Sequence, residues 1–201
     1  LATINLFRQD LSDFANFPRI ISRDFFEVRL GQSFKFPPPK VGADSSFQMI
    51  EEKLPEFDAA VGNFPYIRQE LIEKQDKDYK SILKDALKED WLRDYPDAFV
   101  ITENELKEFK RNHKIDFSRI GFKLSGQADI YAYLFFHTAR FLKEGGRMGF
   151  VTSNSWLDVG YGYELQKFLL NNFKLVAILE SRCEPWFEDA AINTIVTIVE
   201  R

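Results

Sequence analysis

Phe57-Asp58-Ala59-Ala60-Val61-Gly62-Asn63-Phe64-Pro65-Tyr66 is the segment around which the rest of this chain can be arranged. Phe57 to Val61 is a short apolar run that reads as a strand. It leads directly into Asn63-Phe64-Pro65-Tyr66, so an amide, a proline-stiffened turn and an aromatic ring meet where the strand gives out. In open α/β sheets, ligands bind at the carboxyl ends of the strands. Taken alone, Asn63 is equally the residue of an ordinary turn after a strand.

Downstream, Ser125-Gly126-Gln127-Ala128-Asp129 opens an aromatic and aliphatic helix expected from Ile130 to Leu142, with Gly145-Gly146 as its stop. Arg147 to Ser153 reads as a buried strand through Met148, Phe150 and Val151. Strand, helix and strand from Phe57 to Ser153 form a crossover of the parallel-sheet type. Tyr163 to Phe173 reads as a helix, and Leu175 to Glu180 and Ile192 to Glu200 as strands close enough to pair antiparallel. Upstream, Ile4, Phe7 and Leu11 fall at helical spacing, and Pro18 breaks the chain. Arg19-Ile20-Ile21 is then expected to be a short strand ending at Ser22-Arg23-Asp24. Glu27 to Pro55 is irregular and includes the stiff spacer Phe36-Pro37-Pro38-Pro39. Ile67 to Lys123 is polar and balanced in charge, with helices expected at Asp78 to Trp91 and Glu103 to His113 and no strand. It reads as an insertion, about residues 67–124, placed to cover the site.

The 201 residues, 45% of them hydrophobic, suit one well-buried globular domain, and 21 Phe predict aromatic-rich packing. No apolar run reaches the roughly 18 residues of a membrane span, and the N-terminus lacks both a signal peptide and an initiator Met. The chain is therefore expected to begin inside a larger protein, with no membrane partner. The single Cys183 excludes an internal disulfide and a thiolate zinc cluster, and fits a reducing cytoplasm. His113 and His137, each expected at a surface or helix flank, are too few for a multi-histidine metal centre. The net charge of −4 is no nucleic-acid footprint. Even so, Lys107, Lys110, Arg111, Lys114, Arg119 and Lys123 crowd between residues 107 and 123, opposed only by Glu108 and Asp116. Lys110, Arg111, Lys114 and Lys123 are candidate phosphate contacts; a solvated helix and loop is the plainer alternative.

Asn63-Phe64-Pro65-Tyr66 resembles the Asn-Pro-Pro-Tyr motif of S-adenosylmethionine-dependent methyltransferases that act on exocyclic amino groups, above all the adenine-N6 DNA methyltransferases of restriction–modification systems. A second block is similar to the segment that follows that motif in the same enzymes. It runs from Ala128-Asp129-Ile130-Tyr131 through Gly145-Gly146-Arg147-Met148-Gly149-Phe150-Val151-Thr152-Ser153-Asn154-Ser155-Trp156-Leu157. The likeness continues through Tyr161-Gly162-Tyr163-Glu164-Leu165 and Trp186-Phe187-Glu188-Asp189-Ala190 to Asn193-Thr194.

The resemblance implies an α/β fold: a partial Rossmann-like S-adenosylmethionine-dependent methyltransferase sheet, mostly parallel with an antiparallel C-terminal strand, and helices on both faces. It implies methyl transfer from S-adenosylmethionine to the N6 amino group of a flipped adenine in double-stranded DNA. That amine is a poor nucleophile because its lone pair is delocalised into the ring. Acceptors must favour a tetrahedral amine, so positioning and electrostatics do the work, with no metal and no covalent intermediate. By the resemblance, the Asn63 amide oxygen and the Phe64 carbonyl accept from the amine, Pro65 stiffens the turn, and Tyr66 stacks on the base. Phe187 matches the aromatic on the base's other side, with a core role, and Trp186 as stacker, left open. Stacking on an aromatic is worth roughly 1–3 kcal/mol per base, which helps offset extrusion. Asp24 and Phe25, with Asn63, match positions toward the cofactor; Asp24 is equally a plain turn aspartate.

The chain departs from the motif at Phe64, where the family usually has Pro. The ring's restriction of φ is lost there, and rigidity falls to Pro65. Cytosine-C5 methylation needs a thiolate in a Pro-Cys dipeptide, whereas Cys183 lies between Arg182 and Glu184 and reads as a packing residue. No glycine-rich cofactor loop is present, and Gly31 and Gly42 stand alone. The resemblance thus implies that residues 1–201 are an incomplete catalytic domain. The cofactor-loop segment and the target-recognition domain would be absent, and the isolated piece inactive and poor at binding S-adenosylmethionine. A fused or associated nuclease is compatible with this. The same motif also serves guanine-N2 methylation of RNA and glutamine methylation of proteins, and a non-catalytic nucleic-acid-binding module is the alternative outside enzymes.

Overall fold

The computed structural model describes residues 19–36, 49–64, 79–180 and 193–201. The chain divides into two compact units, Leu1–Pro55 and Glu56–Arg201. The expected N-terminal helix and the proline spacer at 37–39 lie outside the described residues.

In the first unit the expected strand at Arg19 to Ile21 does not form. The Arg19 guanidinium instead forks onto Glu52, with Nη2 2.9 Å from Oε1. That fork holds the Glu52 carboxyl below its ordinary range. Nor is Glu27 to Pro55 irregular throughout: β1 (Ser33–Phe36) pairs antiparallel with β2 (Ile50–Lys53), Ser33 opposite Lys53 and Phe36 opposite Ile50. Ser33-Phe34-Lys35-Phe36 alternates polar and apolar only over the shortest length that marks a strand, and Ile50-Glu51-Glu52-Lys53 does not alternate in sequence. Gly31, at φ +76, turns the chain into β1, and its N–H donates to Leu54 O.

The second unit is built on a sheet of four strands: β3 (Phe57–Asn63), β6 (Leu142–Ser153), β7 (Lys174–Glu180) and β8 (Thr194–Glu200). They lie in the order β3–β6–β8–β7. β3 pairs parallel with β6, as the crossover requires, whereas β8 pairs antiparallel with both β6 and β7. The sheet is mixed: the C-terminal strand is antiparallel as expected, but the pairing is mostly antiparallel rather than mostly parallel. The cause is the seat of the last strand. β8 is inserted between two strands that share a direction, so one reversed strand makes two antiparallel pairs.

Alternation sets the buried face. Met148, Phe150 and Thr152 of β6 lie opposite Val199, Thr197 and Ile195 of β8, and all six are buried. Val61, on the other face, is 86% exposed. Over the buried face lies α3 (Ile130–Ala139), every residue of which is buried. Phe135 meets Phe150 of the sheet edge-on at 5.1 Å. Such a helix must be covered all round. Phe136 stacks at 3.8 Å on Phe168 of α4 (Gly162–Asn172), and Trp91 of α1 (Tyr79–Asp94) lies 5.8 Å from Phe136.

Residues 79–124 therefore help build the core rather than merely hang over a site. The two expected helices are α1 and α2 (Glu103–Asn112). α2 opens on a capping box in which Thr102 Oγ1 accepts from Glu105 N–H and the Glu105 carboxylate accepts from Thr102 N–H at 2.9 Å. Two short strands also stand where none was expected, β4 (Phe99–Val100) and β5 (Gly121–Phe122), paired antiparallel. They bring Phe122 to 5.3 Å from Trp91.

Two further expectations change. α3 stops at Ala139, before the glycines, and Gly145-Gly146 lies within β6, where the register to β3 shifts between Phe57 and Ala59. Gly145 takes φ +75 there, and a Cβ on Gly146 would meet Phe57 O at 3.0 Å. His137 is fully buried rather than at a helix flank, its ring edge-on to Phe141 at 5.2 Å. His113 caps α2 from the left-handed region at φ 52 and is exposed. No helix among the described residues is long and apolar enough to cross a membrane.

Candidate functional site

β3 runs through Asn63, two residues further than its apolar run, and sets that side chain, exposed, at the carboxyl end of the strand opposite Val151. Phe64 follows outside the strand but is held to it: its N–H donates to Val151 O at 3.3 Å. Its ring tilts onto Phe150 at 4.2 Å and meets Phe135 edge-on at 6.2 Å. Gly62 makes room for that ring, since a Cβ there would stand 3.1 Å from Phe64 Cε1. Pro65, Tyr66 and Phe187, with the rival Trp186, lie outside the described residues, as does Cys183.

Asp24 and Phe25 belong to the first unit. Asp24 Oδ1 accepts from Phe26 N–H at 2.9 Å and so caps the short helical turn Phe25–Glu27, while the Phe25 ring is 37% exposed. Of the basic candidates, Lys110 and Arg111 occupy the last turn of α2 with Lys114 just beyond, and all three are exposed. Lys123 differs: it is half-buried and its Nζ donates to Asp97 O at 2.7 Å. Lys107 pairs with Glu103, and Arg119 with Asp116. Among the described residues no cluster of three or more His, Cys, Asp or Glu could hold a metal ion.

A hydroxyl network, unannounced by any motif, stands just past the end of β6. Tyr131 Oη lies 2.7 Å from Tyr161 Oη and 3.0 Å from Ser155 Oγ, and Tyr161 donates to Asp129 Oδ2 at 2.8 Å. Ser153, the last residue of β6, donates through Oγ to Ser155 Oγ at 3.0 Å. Burial raises the Tyr131 and Tyr161 phenols above their ordinary range, so both stay protonated donors. The Asp129 side chain makes no cap bond to α3 and accepts from Tyr161 instead. Each residue sits in the blocks quoted above, but a tyrosine in an apolar helix looks like core, and only the fold brings Asp129 and Tyr161 together.

The Eco57I restriction-modification methylase family model matches residues 8–187 of this sequence. The chain belongs to that family. Among curated relatives, this methylase-family chain is 25% identical over 133 residues to the Type II methyltransferase M.BstVI of Geobacillus stearothermophilus, covering 66% of the chain and 17% of that protein. It is 31% identical over 72 residues to the Type II methyltransferase M.XamI of Xanthomonas campestris pv. amaranthicola, covering 36% of the chain and 14% of that protein. The chain thus spans less than a fifth of the length of either relative.

Proposed function

We propose that this chain is the catalytic-motif part of a DNA methyltransferase that modifies the N6 amino group of an extruded adenine, within a restriction–modification enzyme. The observation that carries it is the exposed Asn63 amide at the carboxyl end of β3, held in register against Val151. Family membership and the Type II methyltransferase relatives support the same reading.

S-adenosylmethionine, when bound, supplies an electrophilic methyl group on a sulfonium. Within the first unit, the Asp24 carboxylate and the part-exposed Phe25 ring are an acceptor and a stacking face of the kind an adenine takes. Asn63 and the Phe64 carbonyl draw on the two hydrogens of the target amine, turning its lone pair out of conjugation. Tyr66 and Phe187 hold the base from either side, and Lys110, Arg111 and Lys114 meet the DNA backbone. Recognition of a particular sequence, and any nuclease, belong to other parts of the enzyme, which works in the cytoplasm.

The test is Asn63→Ala in the full-length protein, assayed with DNA, RNA and protein acceptors. Methylation of DNA should vanish with DNA binding retained. Unchanged methylation of DNA would remove Asn63 from the chemistry, and a methylated RNA or glutamine product would move the activity to another acceptor.

A further inference from the structure

We propose that the Phe64 side chain is a positioning anchor that does here, by packing, what a proline ring does at the same place in the Asn-Pro-Pro-Tyr motif. The inference rests on the proposed function, because what it positions is the Phe64 carbonyl that accepts from the target amine.

A proline fixes its own φ covalently but carries no N–H. Phe64 is fixed at two points that a proline could not use. Its N–H donates to Val151 O, which continues the β3–β6 pairing one residue past the strand. Its ring packs on Phe150 of the sheet at 4.2 Å and meets Phe135 of α3 edge-on at 6.2 Å, two side chains that are themselves fully buried and in contact with each other. A pyrrolidine ring, closed back onto its own backbone nitrogen, reaches less far than a phenyl ring. Gly62 completes the arrangement, since any side chain there would contest the space taken by Phe64 Cε1. Gly62 and Phe64 therefore act as a pair: the missing Cβ of one admits the ring of the other. A backbone held at both its N–H and its side chain has little freedom left at its carbonyl, and a reacting group displaced by even about 1 Å can cost on the order of 100-fold in rate.

Restoring the family's usual residue should therefore impair this protein. In the full-length protein, Phe64→Pro and Phe64→Ala are expected to lower kcat for DNA methylation by about 10- to 100-fold, with KM for DNA changed less than about twofold. Phe64→Leu, which keeps the N–H and part of the packing, should fall between them and wild type. A purely structural role would move stability without that split. Melting temperatures supply a readout independent of activity: Gly62→Ala should lower the melting temperature with Phe64 in place and far less in the Phe64→Ala background. Phe64→Pro matching wild type in kcat, or Gly62→Ala costing the same in both backgrounds, overturns the anchor while leaving the methyltransferase intact. If wild type methylates no DNA, or Asn63→Ala methylates it normally, the functional proposal fails and takes the anchor's catalytic role with it.

Discussion

Tyr161 donates its phenolic hydrogen to the Asp129 carboxylate at 2.8 Å, joining positions 32 residues apart. Asp129 stands just before α3 and Tyr161 just before α4, so this bond ties the starts of two helices together beside the end of β6. Tyr131 and Ser155 complete the link by bonding to both Tyr161 and each other. In Tyr161→Phe the Tyr131 and Asp129 groups are left without their shared partner. The expected cost is about 1–3 kcal/mol, because part-buried polar groups go unmatched. Urea denaturation should show a lower midpoint with an unchanged slope. An unmoved midpoint would show the network to be dispensable.

The same phenols set a limit at high pH. Burial raises Tyr95, Tyr131, Tyr133 and Tyr161 above the ordinary phenol range. A group whose pKa is raised by folding contributes its full stabilisation below the unfolded value, about 10 for tyrosine, and loses it as pH rises further. Stability should hold up to about pH 10 and then fall, with tyrosinate absorbance from these four side chains appearing together with loss of helical signal. Ionisation of all seven tyrosines in the still-folded chain would contradict this.

Gly162 and Gly160 make a matched pair. A Cβ on Gly162 would stand 1.7 Å from Trp156 O, a collision with backbone that no side-chain rotation relieves, whereas a Cβ on Gly160 meets nothing within 4 Å. Gly162→Ala should cost about 3 kcal/mol or more, or yield insoluble protein. Gly160→Ala should stay within about 0.5 kcal/mol of wild type. Similar melting curves for the two variants would place the α4 start elsewhere.

If the end of α2 meets DNA, replacing Lys110, Arg111 and Lys114 together by Gln should weaken binding to all sequences alike. The slope of log affinity against log salt should drop by about 0.9 for each phosphate that is no longer neutralised. Melting temperature should hardly change, because all three side chains are exposed. An unchanged salt slope would move the DNA path off this helix. Lys123, already bonded to Asp97 O, is the internal comparison.

Much of the second unit was legible in the chain. Phe57 to Val61, Arg147 to Ser153 and the last two strands showed as apolar runs, and the helices of 79–112 showed as helical stretches in a polar, charge-balanced segment. The first unit was not, because β1 and β2 are short and their partners are distant in sequence. His137 misled because a titratable side chain was expected near water, whereas α3 is covered on every side.

Local chemistry alone determined that a strand beginning at Phe57 leads into Asn63 and that the single Cys183 stands in no Pro-Cys dipeptide. Those properties depend on neighbours a few residues away or on composition. Tertiary structure alone decided that β8 lies between β6 and β7, that Phe64 is seated against Phe135 and Phe150, and that Asp129 meets Tyr161. Each of these joins segments far apart in sequence. Such pairings are selected by the packing of the whole core, which no local periodicity records.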